Sequence, residues 1–351
     1  MNRFFALILV ALGIFLFGAA CGEGSDDEGS SEVQGQPADP RAGWPSTFRI
    51  GLFGGDDAEE TIRNAEPVKK LMEEKLGISV EIFTGTSYSA VIEAMRAGRV
   101  DAMTVGPFAY ILAVQEAKAE ALAVGISTTA KEPVYDSTIL PYYESVVFTK
   151  KGNGINKLDD IKGKGFNFVD PASTSGHLAP KTLLIKKGYN PDKDFQTVFA
   201  GSHPTSALSV WNDKAPAGAT NEGNLFRLDE SKQVDWCNYP DGQINKPRSQ
   251  AELDAHFASC PNGTLVVLAQ TDPIPNTPFA VRSELPKSFK DAVRAALLTT
   301  KDNPEFIKTR KAWYVDPSAE LKLSTLDQFY NPLRDIAKLL NLNLKELAEG
   351  G

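Results

Sequence analysis

The run Phe168-Val169-Asp170-Pro171-Ala172-Ser173-Thr174-Ser175-Gly176-His177 places three consecutive hydroxyl side chains between an apolar strand and a helical segment. Gly165 to Val169 has the character of a buried strand, stopped at Asp170-Pro171, and Lys181 to Lys187 that of a helix. Hydroxyls at this junction make a cradle for an oxyanion. The first N–H groups of a helix have no intrahelical acceptor, its dipole favours negative charge, and hydroxyls add neutral donors. No nucleophile with an adjacent base stands out, so the chemistry is to hold an anion, not to react with it. Helix capping is a simpler use of the same residues. Pro180 lacks an N–H and fits a first turn. Either the helix begins near Ala179, with Ser173 to Gly176 as the turn before it, or it kinks there. The N–H groups of the turn are available in both cases.

The other reactive side chains are few. Three histidines (His177, His203, His256) show no metal-ligand spacing, there is no C-x-x-C, and no cofactor or metal is expected. Arg3 precedes an apolar run from Phe4 to Phe17, and Gly18-Ala19-Ala20-Cys21 follows. That run is too short to span a bilayer comfortably and suits a signal segment, with lipid attached to Cys21. Gly18 stands where an aliphatic residue is usual, which leaves open ordinary cleavage after Ala20 or an uncleaved anchor. Residues 22–46 carry six acids against Arg41 and little apolar material, and compose an acidic tether. In an exported chain, Cys237 and Cys260 are expected to form a disulfide, free buried thiols being the alternative.

The elements that position the cradle alternate. Phe48 to Phe53 is a strand, Ala58 to Leu76 a helix, Ile78 to Phe83 a strand, Tyr88 to Ala97 a helix and Ala102 to Val105 a strand. Phe108 to Lys118 is a helix and Leu122 to Ile126 a strand. This rhythm predicts a covered parallel sheet, with ligands beyond the strands' carboxyl ends. After Tyr143 to Phe148 the rhythm restarts through Phe195 to Phe199 and Ala215 to Ala219, and Thr264 to Ala269 is expected to return to the first lobe. The fold class is α/β: two lobes, each a mainly parallel sheet flanked by helices, around a cleft. The expected division is 47–147 with 271–351 for lobe 1 and 148–270 for lobe 2.

In this order the chain resembles type II solute-binding proteins of bacterial ABC importers, in the phosphonate/phosphite/phosphate-binding branch. The resemblance spans about Phe48 to Leu298. It rests on Tyr88 opening a helix through Val91-Ile92-Glu93-Ala94-Met95, on Gly106-Pro107-Phe108-Ala109-Tyr110, and on Tyr143-Glu144-Ser145. The run from Phe168 to Gly176, then Ala200-Gly201-Ser202-His203 and Ile274-Pro275-Asn276, completes it. It implies that Ser173, Thr174 and Ser175 hold the phosphorus oxygens, that Tyr88 and Tyr143 donate from the first lobe, and that His203 closes from the second, protonated beside a dianion. Each has a plainer alternative: packing for Tyr88, the neighbour Tyr142 in place of Tyr143, a turn role for His203. The spacing to Ser145 favours Tyr143, and His177 is left out of the contact set. In amine-bearing phosphonate binders of this branch acidic residues face the ammonium. Here Glu222 is one candidate and Thr277 stands in the other place, which tilts the expected ligand toward phosphite or methylphosphonate. The segment Arg227 to Asn262, with both cysteines, is an insertion that caps the cleft or decorates the second lobe.

The resemblance implies a monomer outside the cytoplasm, held to the membrane through lipid on Cys21, that delivers its ligand to an ABC permease. A net charge of −8 argues against nucleic acid. An enzyme is not expected, since no G-x-S-x-G elbow is present and clustered hydroxyls without an activating partner do little nucleophilic chemistry. A sensing protein, or a binder of phosphate or sulfate, is the alternative.

Overall fold

The computed structural model describes residues 39–54 and 58–349. The expected signal segment, Cys21 and the tether up to residue 38 lie outside the described residues. The compact body begins at Arg41, five residues before the tether's expected end. Trp44 sets that limit: its ring meets Phe289 edge-on at 5.2 Å, and its indole N–H donates to Ser288 Oγ at 3.0 Å. One aromatic anchor outweighs the polarity of its neighbours.

The strands are β1 (Thr47–Phe53), β2 (Ser79–Gly85), β3 (Ala102–Thr104), β4 (Ala119–Ser127), β5 (Tyr142–Tyr143), β6 (Ser145–Lys150) and β7 (Gly165–Phe168). They continue with β8 (Gln196–Phe199), β9 (Ala217–Asn221), β10 (Leu265–Gln270), β11 (Ile274–Pro275), β12 (Pro278–Arg282) and β13 (Ala312–Val315). One sheet has the order β13-β4-β12-β3-β1-β2, the other β10-β6-β9-β7-β8, and β5 pairs with β11 as a ribbon between them. The two-lobed α/β class is as expected, but the sheets are mixed. Strands β2-β1-β3 and β8-β7-β9 are parallel, while β4, β12 and β13, and likewise β6 and β10, pair antiparallel. Strands entering through the crossings run against those built by the right-handed β-α-β repeats.

One boundary and one strand assignment differ from expectation. The chain leaves the first lobe at Glu144, because β6 already belongs to the second sheet. Residues 265–270 also stay in the second sheet, where β10 pairs along β6 from Leu265↔Lys150 to Gln270↔Val146. Only after Thr271 does the chain return. Its N–H donates to Ser145 O at 2.9 Å and its hydroxyl accepts from Ser145 N at 3.1 Å, tying the crossings together.

The first sheet is covered on both faces. Helix Ala58–Leu76 buries Ala65, Val68, Leu71, Met72 and Leu76, a helical stripe set on Phe48, Ile50 and Phe279. It ends at Gly77, whose φ of +67° suits glycine. Helix Pro107–Ala117 is apolar nearly all round and buried.

The insertion packs on the second lobe's outer edge. Trp236 bridges to Leu265, and Val234, Trp236, Tyr239 and Leu253 join the core of Val146, Phe148 and Leu225. Arg227, where the expected insertion was set to begin, lies within helix Glu222–Glu230. Cys237 and Cys260 form a disulfide, Cα atoms 5.8 Å apart, across a separation of 23 residues. Such a closure stabilises by about 3 kcal/mol in the chain-entropy model.

Candidate functional site

Three parallel strands deliver the second lobe's share of the site at their carboxyl ends. β7 runs into Ser173–Gly176, β8 into Gly201-Ser202-His203, and β9 ends at Thr220-Asn221. The ladder continues past the strands, with Ala200 N donating to Phe168 O and Gly201 N to Val169 O, both at 2.8 Å. This fixes His203 beside the cradle.

The cradle is neither a separate turn nor a kinked helix. Thr174–Leu178 forms one wide π turn that runs directly into an α-helix at Ala179. Leu178 N donates to Ser173 O at 3.1 Å, and the Ala179 N–H closes on Thr174 O. Pro180 lies just past the turn. It has no N–H to close on the next carbonyls, which are free for partners elsewhere in the lobe. Ser145 Oγ donates to Ser175 O at 2.5 Å, and Val169 N donates to Gly176 O at 2.9 Å. Ser173 Oγ accepts from Gly176 N at 3.0 Å and caps the turn. The capping use expected of Ser173 is therefore real, and the turn it caps presents Thr174 and Ser175.

Gly176 sits against Val169 so closely that any Cβ would run into that side chain and into Ser173 Oγ. Gly176→Ala should cost about 1–3 kcal/mol by denaturant unfolding, an overpacking effect. It should also weaken anion binding more than its loss of stability explains, because the turn must open. Unchanged values of both would show that the turn's tight geometry does not matter.

The first lobe supplies the facing groups. Tyr88 opens helix Tyr88–Arg96, capped by Ser87 Oγ accepting from Ala90 N at 3.1 Å, and its ring stacks on Phe53 at 4.2 Å. Its phenol shares a hydrogen bond with Ser173 and is held far above its usual pKa, chiefly by burial and then by Asp170. Tyr143 is pushed up to about 12 by burial, against hydrogen bonds from Ser175 and Thr174. Both phenols are therefore neutral donors at any physiological pH. Phe108 N, in the buried first turn of helix Pro107–Ala117, donates to Thr174 Oγ1 at 2.8 Å. Sequence reasoning placed Gly106-Pro107-Phe108 at a strand end without assigning it this contact.

His203 Nδ1 lies 2.9 Å from Thr220 Oγ1. Burial first, then the Arg227 guanidinium, lowers its pKa to about 3, so the ring is neutral here. His177 packs against Phe168 and Phe199 with its Nδ1 2.9 Å from Pro171 O, outside the contact set as expected. Thus Tyr88, Tyr143, Ser173, Thr174 and Ser175 are brought together, and His203 stands at the end of the adjoining strand.

Glu222 is not with them. It is fully buried, and Tyr239 Oη, Asn245 N and Gln270 Nε2 donate to its carboxylate at 2.8, 2.8 and 2.7 Å. Tyr239 and Asn245 belong to the insertion. The Glu222 carboxylate, expected to face an ammonium group, is held by these three donors and anchors the 239–245 loop. The sequence signal was an unremarked pair of donors in that loop.

Glu144, at the crossing, is 1% exposed, and its Oε2 has no hydrogen-bond partner among the described residues. Burial, then the Glu222 charge, raises its carboxyl to about 8, with Arg248 opposing. A folded-state pKa above the unfolded one gives stability that is complete below about pH 4.5 and lost as pH rises through about 8. Glu144→Gln should therefore melt close to wild type at pH 5 and several degrees above it at pH 9. Parallel melting curves across that range would contradict the assignment.

Residues 50–325 match the family model of the periplasmic substrate-binding protein of phosphonate ABC transporters. The phosphate-import protein PhnD of Mycolicibacterium smegmatis is 32% identical over 213 residues, 58% of this chain and 61% of that protein. The chain thus spans less than two thirds of that relative's length. The phosphonates-binding periplasmic protein of Escherichia coli is 27% identical over 262 residues, 74% of this chain and 67% of that protein. PhnD1 from Prochlorococcus marinus, solved with methylphosphonate, has a TM-score of 0.62 at 16% identity, over 85% of this chain and 99% of that one. A binding-protein component of an ABC phosphonate transporter from Pseudomonas aeruginosa has 0.61 at 24%, over 86% and 92%. These two establish likeness of fold.

Proposed function

The chain belongs to the family of periplasmic substrate-binding proteins of phosphonate ABC transporters, and from that premise we propose that it captures a small phosphorus oxyanion between its lobes and delivers it to a membrane permease. The observation that carries this is the convergence of neutral donors. Tyr88 and Tyr143 come from one side of the cleft and Ser173, Thr174 and Ser175 from the other, at the carboxyl ends of parallel strands. Such a set holds an oxyanion by many hydrogen bonds without a paired cation and without a nucleophile's base. Glu222 is committed to the inserted loop and Thr277 carries no charge, so an ammonium tail finds no free carboxylate at either place. The favoured ligands are phosphite, methylphosphonate and similar small phosphonates. Phosphate is the second reading, favoured by the name of the mycobacterial relative.

Ligand bound to both lobes favours the closed form by its differential affinity. The protein works outside the cytoplasm as a monomer, held at the membrane by lipid on Cys21. A thermal-shift panel of phosphite, methylphosphonate, 2-aminoethylphosphonate, phosphate and sulfate tests the ligand class. A ligand at 100 times its Kd stabilises by about 2.7 kcal/mol. Shifts with phosphorus oxyanions and none with sulfate are expected. A shift with sulfate alone, or with none of the five, overturns the reading.

A further inference from the structure

We propose that Thr220 is a positioning residue that holds His203 in the one neutral tautomer able to donate to the bound oxyanion. The inference rests on the ligand reading above. His203 opens helix His203–Trp211, and three groups fix it there. Ser202 Oγ caps the helix by accepting from Thr205 N at 3.1 Å. Asn224 Nδ2 donates to the His203 carbonyl at 3.0 Å. Thr220 Oγ1 meets Nδ1 at 2.9 Å.

Thr220 is wholly buried on β9, with its own carbonyl accepting from Ser145 Oγ at 3.3 Å. A neutral imidazole carries one proton. If the Thr220 hydroxyl donates to Nδ1, the proton stays on Nε2, and Nε2–H is a donor. If Nδ1 instead carries the proton and donates to Thr220, Nε2 shows a lone pair to an anion and repels it. A site of otherwise neutral donors works only with the first arrangement.

The surroundings hold the ring neutral. The β9 residues, Ala217 to Asn221, do not titrate. On helix Glu222–Glu230, Arg227 faces the ring and disfavours a second proton, itself under the influence of Glu60 from the first lobe. Glu222, on the same helix, is taken up by Tyr239, Asn245 and Gln270. On β6, Lys150 reaches the far end of the histidine's helix, bonding Trp211 O and Asp213. Among the described residues, no carboxylate is placed to favour the imidazolium, so the hydroxyl decides what the ring offers.

The test compares methylphosphonate binding by wild type, Thr220→Val, Thr220→Ser and His203→Ala between pH 5.5 and 8.5. The ratio of variant to wild-type Kd cancels the ligand's own titration. Thr220→Val should bind about tenfold more weakly across this whole range, because the ring stays neutral throughout and loses only the hydroxyl that keeps its proton on Nε2. Thr220→Ser should match wild type throughout. No loss in Thr220→Val, or an equal loss in Thr220→Ser, overturns the proposal, and the tautomer of the ring separates positioning from a general loss of structure. Should the valine variant fail to fold, the ring nitrogens of wild type answer directly by 15N NMR, with three histidines in the chain. A protonated Nε2 and bare Nδ1 on His203 support the proposal, and the reverse refutes it. Normal binding by His203→Ala would instead remove the underlying ligand assignment.

Discussion

Ser173→Ala and Thr174→Ala should each weaken binding of a phosphorus oxyanion by about 1–3 kcal/mol, because each strips a hydrogen bond from a desolvated anion. The two differ in what else they lose. Ser173 Oγ also caps the π turn at Gly176 N, so its removal should lower stability by about 1 kcal/mol as well. Thr174 Oγ1 accepts from Phe108 N across the lobes. Thr174→Ser keeps that oxygen and should bind nearly as wild type. The double alanine variant should fall below detection at millimolar ligand while still unfolding cooperatively. Calorimetric titration read beside denaturant melts separates these effects. Wild-type affinity in both single variants would show that the hydroxyls cap a helix and nothing more.

Glu222→Ala should do the opposite. Three donors converge on this buried carboxylate, and removing it leaves the Tyr239 hydroxyl, the Asn245 N–H and the Gln270 amide without their acceptor. A loss of about 2–5 kcal/mol in unfolding free energy is expected. The ring of Tyr239 also lies under the Arg248 guanidinium, 3.7 Å from its centroid, and Arg248 pairs with Asp241 at 2.8 Å. The inserted loop should therefore loosen as a unit and become open to proteolysis between residues 239 and 248. Affinity for methylphosphonate should change less than about threefold. Lost affinity with unchanged stability would return Glu222 to the ligand.

Most of the cradle was legible because its signals are local. A strand end, three hydroxyls and a glycine before a helix specify their own geometry within ten residues, and the alternation of strands and helices fixed which ends meet the cleft. The π turn was not legible. Pro180 withholds an N–H from it, and Ser145, thirty positions upstream of Ser175, donates to the carbonyl that is thereby free. The bonding of Glu222 was hidden for a similar reason. Its position after β9 is readable, but its donors come from Tyr239, Asn245 and Gln270, none near in sequence. Thr220 was passed over because its partner lies 17 residues away on another element. The crossing at Glu144 was set three residues late because Tyr143 to Phe148 reads as one continuous segment, and only the pairing of β5 with β11 and of β6 with β9 splits it.

The central claim is that one small phosphorus oxyanion binds in the Ser173–Ser175 cradle. Calorimetric titration of the purified protein with methylphosphonate, phosphite and phosphate, each repeated on the Ser173→Ala/Thr174→Ala variant, tests it most directly. The account predicts saturable binding of at least one of them at one site per chain, lost in the double variant and not displaced by sulfate. Binding that survives in the double variant, or that sulfate displaces equally well, would contradict it.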